Sequence, residues 1–202
     1  MNAVTLDALM RDRRVWRGRP AELPPSPAPS GWPRLDVALP AHGWPEAALS
    51  EILLSTEGIG ELRLVLPLLA RLTQEGQRIV LVAPPHRAHA PAWQAVGVAL
   101  ERVTVVVTPS AQVAWAMEQC LRSGACAAVL GWLERADDRT LRRLQIAAGA
   151  GSAIAFLFRP RGALANASPA ALRVEVTPGQ LQIRKCRGRV PSAAIPFAPP
   201  LT

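Results

Sequence analysis

The chain reads as an α/β protein: a mostly parallel sheet with helices on both faces and a C-terminal antiparallel hairpin. Two observations predict this. From residue 50 onward, short apolar runs alternate with stretches of helical periodicity, which is the pattern of parallel strands joined by crossover helices. Near the C-terminus the alternation stops, and two strand-like runs meet directly at Pro178-Gly179, a hairpin signal.

In chain order, "SEILLS" (50–55) is the first strand. Residues 59–75 follow with Leu62, Leu66, Leu69 and Leu72 along one side. Pro67 lies inside this stretch, so the helix is kinked or starts late. "QRIVLVAP" is the second strand and "PAWQAVGV" a short helix. "RVTVVVTP" is the third strand, after which Ser110 caps a helix to about Arg122. "CAAVLGWL" is the fourth strand. Asp137-Asp138 open a helix that Gly149 and Gly151 end. "SAIAFLFRP" is the fifth strand, and "ALRVEVTPGQLQIRKCRG" supplies the hairpin.

The chain divides into four parts. Residues 1–19 form an amphipathic helix, with Leu6, Leu9, Met10, the Arg13 stem and Trp16 on one side. Residues 20–33 form a Pro-rich linker, with five prolines between Pro20 and Pro29. Residues 34–190 are the core domain, and 191–202 are a Pro-rich tail. With 202 residues and half of them hydrophobic, the chain can bury a core and is not disordered.

The net charge of +8 is carried mostly by Arg and permits an acidic partner or nucleic acid. Cys120, Cys126 and Cys186 are odd in number and lack zinc spacing, so neither a disulfide framework nor a metal site is expected. No apolar run reaches the roughly 18 residues of a membrane span. The N-terminus carries charges through its middle, unlike a signal peptide. A cytoplasmic protein with no membrane contact is expected. His86 and His89 are three apart but lie in a loop with no ligand partner beside them.

A phosphate loop needs GxxxxGK[ST] between strand and helix. Here "STEGIGELR" stands in that place. Gly58 and Gly60 are followed by Glu61 and Leu62, where Lys and Ser/Thr belong. A carboxylate about 4 Å from a phosphate charge costs several kcal/mol at a surface-like dielectric. The loop is therefore degenerate, and no nucleotide or other cofactor is expected.

Trp132 ends the fourth strand, at the edge where function gathers in open α/β sheets. It either fills space or meets a partner. Trp16, flanked by Arg13, Arg14, Arg17 and Arg19, is a candidate anchor. Its helix either docks on the partner or folds back on the chain. Arg184, Lys185, Arg187 and Arg189 form a basic end suited to phosphates or an acidic partner. No aromatic interleaves them, so the stacking of a single-strand groove is absent.

"SGWPRLDVALPAHGWPEAALSEILLSTEGIGELR" resembles the opening of the RecA-family ATPase core, with Leu35-Asp36 and Gly43-Trp44-Pro45 at the matching places. The acidic residues of ATP hydrolysis are absent: Gly131-Trp132 and Pro84-Pro85-His86-Arg87 stand in their positions. Two ATP-motif-lacking relatives of the SOS response fit better. "LDALM…VWRG", "GWPRLDVALPAHGWPEAALSEILL" and "LQIRKCRG" look like the ImuA family. "LPLLARL", "AWQAVGV", "CLRSGACAAVLGWL" and "FLFRP" are similar to the core of the SulA family. The ImuA resemblance is favoured. It implies a RecA-like core and a non-catalytic adaptor in translesion synthesis. The partners would be an ImuB-like Y-family protein and the RecA filament, with the error-prone polymerase joined indirectly and at most weak DNA contact. The SulA resemblance implies instead an inhibitor of cell division that binds FtsZ.

Overall fold

The computed structural model describes residues 25–56, 58–188 and 194–197. A single eight-stranded mixed sheet forms its centre, in the order β3-β2-β4-β5-β1-β6-β7-β8. The strands are β1 (Leu49–Leu54), β2 (Ile79–Val82), β3 (Val103–Val106), β4 (Ala128–Trp132), β5 (Ile154–Pro160), β6 (Leu172–Thr177), β7 (Gln180–Cys186) and β8 (Ile195–Pro196). The pairings from β3 through β6 are parallel. β7 and β8 run antiparallel to their neighbours. Gly179, at φ +77°, makes the turn between β6 and β7 that a side chain would strain.

The helices are α1 (Pro33–Ala38), α2 (Leu66–Gln74), α3 (Ala90–Ala95), α4 (Val113–Arg122) and α5 (Asp138–Ala150). Alternate residues of each strand point to opposite faces of a sheet. Ile52, Leu54, Leu130, Phe156 and Phe158 join α1, α2 and Trp93 of α3 in one apolar cluster. Leu49, Val80, Val129, Ala155 and Leu157 join α4 and α5 in a second. α5 begins at Asp137, whose side chain accepts the Thr140 N–H at 2.8 Å. It buries Leu141, Leu144, Ala147 and Ala148 at helical spacing.

Residues 25–33, read as linker, lie against the body. Ala28 and Ser30 are buried, and the Trp44 N–H donates to Ala28 O at 2.8 Å. α1 starts with Pro33 in its first turn, and Asp36 Oδ1 accepts the Ser30 N–H at 2.8 Å. Trp44 is fully buried edge-on to Phe156, with ring centroids 4.9 Å apart. Ser110 does not cap α4: it opens a three-residue 3-10 turn, and α4 begins at Val113.

The expectation of a RecA-like core with a degenerate P-loop is corrected at β1. The chain leaves β1 through a turn, passes Gly60 in the left-handed region at φ +86°, and makes a 3-10 turn over Glu61–Leu64. The α-helix starts only at Leu66, with Pro67 in its first turn. A 3-10 turn, with its i to i+3 bonds, thus stands where a phosphate loop leads directly into an α-helical N-terminus. The Glu61 side chain folds back, and its carboxylate accepts the Gly58 N–H at 3.4 Å.

Candidate protein-binding surface

The parallel strands β1, β2, β4 and β5 deliver their C-terminal ends to one side of the molecule, where ligands and partners of such sheets gather. On that side lie Gly58, Gly60, Glu61 and Leu62 after β1, and Trp132 at the end of β4. Glu61 is nearly buried, and Leu62 packs on the apolar cluster. Trp132 is half-buried and stacks on Phe158, with centroids 4.8 Å apart and planes 9° from parallel. One face of its ring thus packs on the core, and the residue stays partly open to solvent.

Two hollows flank this side. One, of about 500 Å³, is lined by Glu134, Arg135, Asp137, Thr140, Arg159 and Asn166 beyond β4 and β5. The other, of about 540 Å³, lies by β2 and β3 and is lined by Leu81, Ala83, Pro85, Arg87, Val105 and Val107. Ala83 adopts φ +49°, a costly conformation for a residue with a Cβ, and turns the chain from β2 into Pro84-Pro85.

The basic end is largely committed to the protein itself. Arg184 Nε donates to Glu175 at 2.6 Å, and Arg161 also pairs with Glu175. The Lys185 ammonium donates to Ser168 O. Burial, and then the charges of Arg173 and Arg187, push the Lys185 pKa down. Arg187 is exposed. Arg189 lies outside the described residues, as do Leu6, Leu9, Met10, Arg13, Trp16 and Arg17. Burial, together with the neighbouring Cys126, pushes the Cys120 thiol up, so it is a poor nucleophile. Among the described residues, no group of three or more His, Cys, Asp or Glu could hold a metal, and no helix is long and apolar enough to cross a membrane.

Sequence reasoning missed the strongest electrostatic feature. Glu51, in the middle of β1, is fully buried between Arg159 of β5 and Arg173 of β6. Arg159 donates to Glu51 at 2.7 Å, and Arg173 Nε approaches the other carboxylate oxygen at 2.8 Å. The second contact is off the hydrogen-bond line, so charge rather than direction holds it. Arg173 also donates to Ala163 O at 2.7 Å and Asn166 O at 3.0 Å. Arg159 reaches Ala136 O at 3.2 Å. The signal was present as isolated charges inside three apolar runs, one each in "SEILLS" and "FLFRP" and two in "LRVEVT". Its meaning needed the register, in which Glu51 lies directly beside Arg173.

Comparison with known proteins assigns the chain. A family model described as "Cell division inhibitor SulA" matches residues 47–155. Cell division inhibitor SulA of Edwardsiella piscicida is 35% identical over 105 residues, which cover 51% of this chain and 62% of that protein. The SulA of Photorhabdus laumondii is 32% identical over 116 residues, covering 56% and 65%. That of Yersinia enterocolitica is 30% identical over 114 residues, covering 55% and 67%. The chain thus spans less than two thirds of the first two relatives. The crystal structure of SulA from Pseudomonas aeruginosa aligns with 57% of this chain and 99% of that one, at 28% identity and a TM-score of 0.48.

These findings overturn the favoured ImuA reading. The role in translesion synthesis goes with it, as do the ImuB-like protein, the RecA filament and the error-prone polymerase as partners. The RecA-like assignment of the core falls on the same match. Of the residues singled out in the sequence, the loop residues Gly58, Gly60, Glu61 and Leu62 and the contact candidate Trp132 lie inside the matched span, whereas residues 1–19 and the basic end lie outside it. With more than half of its length matched by one family model, the chain belongs to the SulA family.

Proposed function

We propose that this protein inhibits cell division in the cytoplasm by binding FtsZ, without catalysis, as part of the SOS response. The observation that carries this reading is the family match over residues 47–155. It covers β1 to the start of β5 together with the loops that follow β1, β2, β3 and β4. Those loops present a partly exposed tryptophan held by stacking, flanked by two mixed polar and apolar hollows. Aromatic anchors backed by a rigid sheet suit a protein partner, since Trp and Arg are enriched among the residues that dominate binding energy. We place the FtsZ contact on this side, with Trp132 as its anchor.

The test is polymerisation of purified FtsZ with GTP, followed by light scattering and sedimentation. The chain lowers polymer mass in proportion to its concentration, and its production in bacteria gives filamentous cells. Normal polymer mass at a several-fold excess of the chain would overturn the proposal. Inhibition undiminished in Trp132→Ala would keep the function and remove the assigned contact.

A further inference from the structure

Replacing a buried group of ion pairs by apolar residues of similar volume is often neutral or stabilising. Stability alone therefore gives no reason for Glu51, Arg159 and Arg173 to carry charge. The reason lies in what the two guanidinium groups reach.

One carboxylate does not balance two guanidinium groups. Each arginine has five N–H donors, and Glu51 occupies only some of them. Others turn to backbone carbonyls. Arg159 Nη2 donates to Ala136 O at 3.2 Å. Arg173 Nη1 donates to Asn166 O at 3.0 Å, and its Nη2 to Ala163 O at 2.7 Å. None of these acceptors belongs to a strand. Ala136 lies in the connection from Trp132 to α5, Ala163 in the 3-10 turn Arg161–Ala165 after β5, and Asn166 just beyond that turn. All three line the same hollow of about 500 Å³. The connection before α5 forms one wall of it, and the segment after β5 forms the other.

The register explains how a charge in the middle of β1 reaches this rim. Glu51 lies beside Arg173 of β6 and beside Leu157 of β5. Arg159 stands two residues further along β5, nearer its C-terminal end. The excess positive charge is buried, and it is tolerated while carbonyl dipoles face it. The bonds that satisfy the charge are therefore the bonds that order the two walls. Apolar side chains of the same volume would fill the space and hold neither wall.

We propose that Glu51, Arg159 and Arg173 are positioning residues for the partner-binding surface: Glu51 fixes the two guanidinium groups, and these fix the two walls of the hollow. This rests on the FtsZ reading given above. A surface ordered before contact loses less entropy on association, so the triad acts on affinity without touching the partner.

The experiment is hydrogen exchange of the full chain, read beside inhibition of FtsZ polymerisation. Leu133 N–H, bonded to Phe158 O at 3.1 Å, and Thr140 N–H, held by Asp137 at 2.8 Å, report the first wall. Asn166 N–H, bonded to Ala163 O at 3.1 Å, reports the second. Arg173→Met leaves Glu51 and Arg159 as a neutral pair, so the sheet still folds, which circular dichroism checks. Exchange at Asn166 is expected to rise at least about tenfold in this variant, while Leu133 and Thr140 keep their wild-type rates. The triple variant Glu51→Leu, Arg159→Met, Arg173→Leu speeds all three amides, and its inhibition of FtsZ weakens at least about tenfold. A role in stability alone would instead raise exchange evenly through β1, β5 and β6. Such an even rise, or unchanged exchange at Asn166 in Arg173→Met, would overturn the proposal. Loosened walls with undiminished inhibition of FtsZ would overturn it as well. If the wild-type chain leaves FtsZ polymers intact, the FtsZ reading fails by itself, and the three amides still decide whether the triad sets the walls.

Discussion

Replacing Glu51 by Gln keeps its volume and removes its charge. Two guanidinium groups then remain in the sheet interior, at 3% exposure for Arg159 and 6% for Arg173, with no anion between them. At an effective dielectric of about 20, two unit charges about 4 Å apart attract by about 4 kcal/mol. Each arginine loses an interaction of that order. Their mutual repulsion, until now offset by Glu51, is exposed. The backbone acceptors Ala163, Asn166 and Ala136 remain and cushion the loss. Breaking a buried pair costs about 3–5 kcal/mol, and two pairs sharing one carboxylate place this site in the upper half of that range. For a chain of this length each kcal/mol moves the melting point by about 2–4 °C, so Glu51→Gln lowers it by roughly 8–20 °C. Urea unfolding read by tryptophan fluorescence measures the free energy directly. The triple variant Glu51→Leu, Arg159→Met, Arg173→Leu removes all three charges together and is expected near wild-type stability or above it. A loss under about 1 kcal/mol in Glu51→Gln would refute the reasoning, because an uncompensated buried charge cannot be that cheap.

Further outcomes follow from other sites. Burial pushes the Glu118 carboxyl up, but Arg143 and Arg122, bonded to it, hold it net below its ordinary value of 4.5. Its stabilisation is therefore complete above that value and is lost as the pH falls through the lowered one. The stability gap between wild type and Glu118→Gln should be flat near neutrality and close in acid, as urea curves at stepped pH will show. Gly131→Ala places a Cβ 2.1 Å from Met117 Sδ, and because the thioether can shift, the cost is about 1–3 kcal/mol by the same assay. Gly151→Ala meets the Leu121 carbonyl oxygen at 1.7 Å, a backbone atom with less room to move, and should lower stability more than Gly131→Ala. Trp132→Phe keeps the stack on Phe158 and costs little stability, whereas Trp132→Ala loses about 0.5–1.5 kcal/mol of ring pairing besides its buried area.

The strands of the sheet were legible as apolar runs, and β1 to β7 lie within two residues of where periodicity puts them, except that β3 stops three residues before the end of its run. The order of those strands was not legible. Nothing in "RVTVVVTP" says that it will form an edge, and nothing in "SEILLS" says that it will lie beside "LRVEVT". α1 was missed because it opens at Pro33, the last residue of the stretch that prolines mark as linker, and β8 because it is two residues long and one of them is a proline. The motifs behind the RecA-like and ImuA readings have structural duties. Leu35 is buried, Asp36 holds the Ser30 N–H, and Trp44 packs on Phe156. A Cβ at Gly43 would lie 2.6 Å from Ala28 O. In this chain these residues brace the segment before α1 over the sheet. That packing duty does not separate one family from another.

The loop after β1 shows how the candidate surface keeps its shape. In a phosphate loop the backbone N–H groups are held open, and the anion supplies much of the order. Here one of those groups, Gly58 N–H, is taken by Glu61 of the same loop, and Leu62 anchors the following turn in the apolar cluster. The 3.4 Å bond is long, so the anchoring by Leu62 and Leu64 does most of the ordering. A loop ordered by its own residues needs no ligand to reach its binding conformation, and a preordered surface loses less entropy on association. Binding of FtsZ should therefore be the same with and without ATP. Glu61→Ala should loosen the turn without creating any dependence on nucleotide. An inhibition curve that shifted on adding ATP to the wild-type chain would show that the loop is completed from outside, contrary to the packing seen around Glu61 and Leu62.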